Sequence, residues 1–145
     1  MPAETTISTI IPASTSPESV LKALHDHECY IRITCPQLIS YKHISGTPNQ
    51  LNESCLYEVT DKKPIGQTTF KLTLTNRDDG IEANVDGKAP TGALNIISKW
   101  VVSGNKLDEV VTIDSNMLMK KMIKGNVEKS HPEQHQGFYA AAAQA

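Results

Sequence analysis

Between Leu38 and Asp114 apolar and polar residues alternate with a period near two, and the flanking segments change to a period of three and four. The clearest strand is Gln67 to Thr75, where Phe70, Leu72 and Leu74 point one way and Thr69, Lys71 and Thr73 the other. Asn76-Arg77-Asp78-Asp79-Gly80 then reads as a hairpin loop with Gly80 in a left-handed position, followed by inward Ile81, Ala83 and Val85. Ala93 to Ser103, with Leu94, Ile96, Trp100 and Val102 on one face, and Leu107 to Asp114 complete four segments joined by short turns. Short turns without helical crossovers predict an antiparallel meander. Leu38 to Ser45 and Cys55 to Thr60 are two further strands, separated by the turn cluster Gly46-Thr47-Pro48-Asn49.

Upstream, Glu4 to Ile11 is rich in β-branched residues and predicts a first strand, stopped by Pro12. Ser16-Pro17-Glu18 is a helix start, with the cap, the N1 proline and a first-turn acid in order. That helix carries Val20, Leu21 and Leu24 on one face and fades near Asp26 to Glu28. Cys29 to Leu38 fits a strand or a short second helix, and the closing Pro36 favours helix plus turn. Downstream, Asn116 to Ala143 repeats apolar or small residues at Met119, Met122, Ile123, Val127, Ser130, Gln134, Phe138 and Ala141, which predicts the one long helix. Pro132 is expected to kink it, or to break it with Ser130 capping a second piece. The sum is an α+β chain in which a curved antiparallel sheet wraps a long C-terminal helix, with the space between them packed or hollow.

The chain has 145 residues, which fits a single domain over residues 1–145. With 39% apolar and 21% charged residues it is neither disordered nor membrane-embedded, and no apolar run is long enough to span a bilayer. A net charge of −2 and only two arginines, Arg32 and Arg77, give no footprint for nucleic acid. Cys29, Cys35 and Cys55 form no CxxC pair and read as reduced, small apolar packers. Met1 to Ile11 lacks the basic start and apolar core of a secretory signal, so the expected location is cytoplasmic.

No glycine-rich phosphate loop and no GxSxG occur, which argues against nucleotide cofactors and a serine nucleophile, so no cofactor is expected. His25 and His27 lie one residue apart, which on a helix turns the rings about 200° from each other, too far for a shared metal. His131 and His135 have the helical i, i+4 spacing of a metal pair, but no carboxylate joins them in a recognisable motif. No metal is expected.

Three phrases, Pro17–Glu28 (PESVLKALHDHE), Leu56–Asp61 (LYEVTD) and Asn116–His131 (NMLMKKMIKGNVEKSH), resemble a fungal family of the START-like (SRPBCC, helix-grip, Bet v 1-like) superfamily. The resemblance runs over essentially the whole chain and rests on structural motifs. It implies a helix-grip fold with a cavity for an apolar or aromatic ligand beneath the closing helix. It implies as partner a hydrophobic small molecule, and it opens the possibility of a cofactor-free cyclase or isomerase, for instance a pericyclase of the Diels–Alder type in secondary metabolism. A lipid or metabolite carrier is the alternative, and a co-chaperone-like interaction module the third. In that frame Tyr41, His43, Tyr57 and Trp100 are the candidate catalytic groups, as hydrogen-bond donors or, for His43, as acid or base. Arg32, Phe70, Ser98, Met119 and Met122 are the candidate substrate contacts, with Arg32 as a carboxylate anchor at the mouth. The first half of the long helix, Asn116 to Lys129, is expected to roof the cavity.

Overall fold

The computed structural model describes residues 2–89 and 92–144. Strand β1 (Ala3–Ile10) leads into helices α1 (Pro17–His25) and α2 (His27–Thr34). Strands β2 (Leu38–Ser45), β3 (Ser54–Lys62), β4 (Gln67–Arg77), β5 (Gly80–Ala89), β6 (Gly92–Ser103) and β7 (Lys106–Asp114) follow, and α3 (Met117–Ala143) closes the chain. One antiparallel sheet runs in the order β1-β7-β6-β5-β4-β3-β2, so β1 closes onto the last strand of the meander.

Local chemistry explains the boundaries. Ser16 caps α1 by accepting from the Ser19 N–H, with Pro17 at the first position. Asp26 ends α1 and caps α2 by accepting from the Cys29 N–H, so the segment 27–34 is helical and not a strand. Gly80 has no positive φ, contrary to the sequence expectation. Its constraint is close approach: a Cβ there would lie 1.6 Å from the Trp100 carbonyl oxygen across the β5–β6 ladder. A register shift between Leu38 and Ser40 throws Ile39 out of alternation, and Ile39 is exposed while Leu38 and Tyr41 pack against the core.

Helix α3 runs unbroken through Pro132, so the divided helix of the sequence reading does not form. The proline leaves the Glu128 carbonyl without its helical donor, and one turn earlier the Ser130 hydroxyl bonds back to the Asn126 carbonyl at 2.7 Å. The helix is held by its second half: Val127, His135, Phe138, Tyr139 and Ala142 are buried, whereas Met117, Leu118 and Met122 are exposed. The main core joins Val20, Leu24, Tyr30, Ile31, Leu72, Leu74, Ile81, Trp100 and Phe138 between α1, α2, α3 and the concave sheet face. A smaller cluster of Ile7, Val111, Ile113 and Val127 lies at the β1–β7 side.

Candidate functional site

The space between the two clusters is not filled. A chamber of about 160 Å³ lies under α3, walled by Phe70, Leu72, Ala83, Val85 and Ile96 of the sheet, Tyr30 of α2 and Val127 of α3. Phe70, Val85 and Ile96 also wall a groove of about 640 Å³ that opens between Pro64, Ile65 and the Met119–Ile123 edge of α3. Groove and chamber together make an apolar channel that leads inward from the first half of α3.

Polar groups share the chamber wall. Ser98, Asp61, His131 and Gln134 line the chamber, and Asp61 Oδ1 and Gln134 Oε1 are buried with no hydrogen-bond partner among the described residues. A buried acceptor without a donor costs about 1–3 kcal/mol. Beneath His131 stands Glu109, fully buried on β7, whose Oε2 accepts from His131 Nδ1 at 2.7 Å and whose Oε1 accepts from His135 Nε2 at 3.1 Å. Binding Nδ1–H to the carboxylate leaves Nε2 of His131 as the acceptor nitrogen on a ring that lines the chamber. The ring stacks on Trp100, with 18° between planes, which fixes its orientation. His135 continues the network: its Nδ1 meets the Thr9 hydroxyl at 2.8 Å, and Thr9 meets the Tyr139 hydroxyl at 2.5 Å. Burial is the main reason that the Tyr139 phenol is displaced upward from its ordinary value.

Among the described residues no group of three or more His, Cys, Asp or Glu is placed to hold a metal ion. Here both ring nitrogens address the carboxylate oxygens directly. The sequence reading found no carboxylate for these histidines because Glu109 arrives from β7, 22 residues away from His131.

The candidates read from sequence separate into three places. Phe70 and Ser98 line the chamber and Met119 the groove, so these three come together. Trp100 is buried beside the chamber, but its Nε1–H donates to the Tyr30 hydroxyl at 3.0 Å and is spent there. Tyr30, which lines the chamber, keeps its own O–H to give, and burial holds its phenol well above the usual range. Arg32 and Met122 are outside the channel lining: Arg32 is an exposed partner of Glu28 at 3.5 Å, and Met122 is exposed on the outer face of α3.

Tyr41, His43 and Tyr57 line a separate cleft of about 780 Å³ between the α1–α2 corner and β2–β3. Its chemistry is internally fixed. Asn76 Nδ2 donates to the Pro48 carbonyl at 3.0 Å, so Oδ1 is what faces His27 Nε2 at 2.8 Å. Nε2 therefore carries the proton, and Nδ1 accepts from the Tyr57 hydroxyl at 2.7 Å. Burial lowers the His27 pKa, outweighing the Asn76 bond, which keeps the ring neutral as this pattern requires. Burial likewise pushes the Tyr57 phenol up to about 12.

A curved antiparallel sheet gripping a long C-terminal helix is the helix-grip, Bet v 1-like fold. Solved structures match the fold across nearly the whole chain. Ara h 8.0201 aligns with a TM-score of 0.66 at 11% identity, covering 99% of this chain and 100% of that one. The di-domain ARO/CYC StfQ from the steffimycin biosynthetic pathway aligns with a TM-score of 0.71 at 9% identity, covering 99% of this chain and 51% of that one. The Zhui aromatase/cyclase from Streptomyces sp. R1128 aligns with a TM-score of 0.57 at 13% identity, covering 98% of this chain and 93% of that one. At these identities the likeness establishes the fold. The chain belongs to the domain of unknown function family DUF7053, which matches residues 2–144. No curated protein matches at the level of sequence.

Proposed function

We propose that the channel under α3 binds an apolar small molecule that carries hydrogen-bond donors at its inner end. In the sharper form of this reading, the protein cyclises or isomerises that molecule without a cofactor. The observation that carries the proposal is the pair of unpartnered buried acceptors, Asp61 Oδ1 and Gln134 Oε1, in the wall of a largely apolar chamber. A ligand O–H or N–H aimed at them recovers the cost of their burial. Two of the fold neighbours are aromatase/cyclases, which lends weight to the catalytic form.

Catalysis here needs orientation, a donor and a base. Phe70, Leu72, Val85 and Ile96 hold the substrate in a folded conformer, and preorganisation of this kind contributes up to several kcal/mol. The Tyr30 hydroxyl donates to a substrate carbonyl and steadies the charge that develops on its oxygen. His131 Nε2 takes a proton from the carbon next to that carbonyl, the enolate carbon adds to a second carbonyl of the same substrate, and the proton returns to the alkoxide oxygen formed as that C=O π bond breaks, while Glu109 holds the ring in the required tautomer. Tyr41, His43 and Tyr57, candidates from sequence, serve in this reading only through the α1–α2 cleft and not in the channel.

Native mass spectrometry of the purified protein, with titration by an apolar fluorescent probe, tests binding. The Ser98→Phe variant, which fills the chamber, is expected to lose ligand and probe while keeping its circular dichroism spectrum. Unchanged binding by folded Ser98→Phe would refute the channel. His131→Asn separates the two forms of the proposal: an enzyme keeps its ligand and loses turnover, whereas a carrier of lipid or metabolite is unaffected.

A further inference from the structure

The rim of the groove combines two features that the channel does not use. The first is apolar exposure. Ile65, at the tip of the β3–β4 turn, is 95% exposed, and on the adjoining half of α3 Met117, Leu118 and Met122 are 82%, 74% and 53% exposed. On the helical wheel Leu118, Met122, Met119 and Ile123 form one apolar sector. Only its Met119–Ile123 edge faces the groove. The second feature is charge. Between Asn116 and Asn126 the helix has Lys120, Lys121 and Lys124 and no acid, although the chain as a whole has a net charge of −2. Lys62 and Lys63 precede Ile65 in its turn, and Lys63 and Lys88 line the groove itself. Asp61, the nearest carboxylate in that turn, meets Lys63 at 3.4 Å through one oxygen and lines the chamber.

We infer that this rim docks on an anionic lipid surface, with Leu118, Met122 and Ile65 entering the headgroup boundary and the lysines meeting lipid phosphates and carboxylates. A basic helix segment with an adjacent exposed apolar sector is the pattern of an interfacial helix. The charge complementarity selects anionic lipid over a second copy of this chain, whose matching rim would be equally basic. Docked this way, the groove opens onto the bilayer, and an apolar molecule passes between membrane and chamber without crossing water. The inference stands on the rim alone and holds whether or not the chamber is catalytic.

Flotation with vesicles of phosphatidylcholine, with and without about 30% phosphatidylserine, tests it on the intact chain. Wild-type protein is expected to float with the phosphatidylserine vesicles, much less with phosphatidylcholine alone, and to be released by high salt. Each lysine near such a surface contributes about fivefold in affinity, so the Lys121→Gln/Lys124→Gln double variant is expected to bind about 25-fold more weakly. Leu118→Asp is expected to weaken binding by at least about tenfold. These residues are at the surface, and an unchanged circular dichroism spectrum verifies that the variants fold. Failure to float, equal flotation with both vesicle types, or indifference to these substitutions overturns the inference. So does a concentration-dependent dimer that Leu118→Asp dissolves in the absence of vesicle binding, because the rim would then serve a second copy.

Discussion

Replacing Glu109 tests the central network most directly, because one fully buried carboxylate serves two imidazoles. Glu109→Ala leaves His135 Nε2–H with no partner in a fully buried position, at about 1–3 kcal/mol. His131 retains 16% side-chain exposure, so water recovers part of its loss and about 1 kcal/mol is a fair share. Removal of the packed side chain adds about 1–2 kcal/mol for the space it leaves. The total is about 3–6 kcal/mol, a large part of the roughly 5–15 kcal/mol that holds a domain folded. Glu109→Gln keeps the shape and one acceptor, but turns an amide N–H toward an imidazole N–H, so one ring must change tautomer at about 1–2 kcal/mol. Urea denaturation read by circular dichroism gives both values. Thermal melts should fall by roughly 10 °C for the alanine variant, at about 2–4 °C per kcal/mol for a chain of this size. If both variants stay within about 1 kcal/mol of wild type, the network adds nothing to stability and the reasoning is wrong.

Three further outcomes are expected. His27 is held below its ordinary value of 6.5 by burial, so the unfolded chain takes this proton at higher pH than the folded one. Its contribution to stability is complete above the unfolded value of about 6.5 and is lost as pH falls from there through the lower folded-state value; urea titrations over this range should show the slope, and His27→Gln should remove it. Burial raises the Tyr57 phenol from 10.0 to about 12, so an ultraviolet alkaline titration should lose its step near that value in Tyr57→Phe, and an unchanged curve would contradict the assignment. Pro132→Ala supplies the N–H that the Glu128 carbonyl lacks and should raise stability by about 1–3 kcal/mol, whereas a loss on chemical denaturation would mean that the proline is favoured in its present setting.

The fold was legible because its signals are local and agree with one another. Phe70, Leu72 and Leu74 announce a strand by alternation, Ser16 and Pro17 announce a helix start, and Pro36 settles the ambiguous segment before it as helix. The helix through Pro132 was misread because local propensity favours a break there, and burial of His135, Phe138 and Tyr139 against the sheet and α1 outweighs it. The site was legible only where strand parity sufficed, as at Phe70 and Ser98. Trp100 lost its expected donor role to a partner 70 residues away, Tyr30, which no local pattern specifies. Glu109 did leave a signal. It occupies an inward position between Leu107 and Val111, where a carboxylate is out of place unless something receives it.

The unequal halves of α3 have a consequence for how the channel exchanges its contents. From Met117 to Asn126 no helix residue is buried, whereas the turns beyond Val127 are sewn to β1, β7 and α1. Within the anchored part stands Pro132, where the ladder of amide bonds lacks one rung. A single helix is thus both anchor and doorpost: its N-terminal turns can lift and resettle while the C-terminal turns keep the sheet closed. Amide exchange along α3 would register this as a gradient, quick at the groove and slow at Tyr139, within one continuous helix. On the proposed function, a ligand would pass at the cost of a few surface turns and without global unfolding.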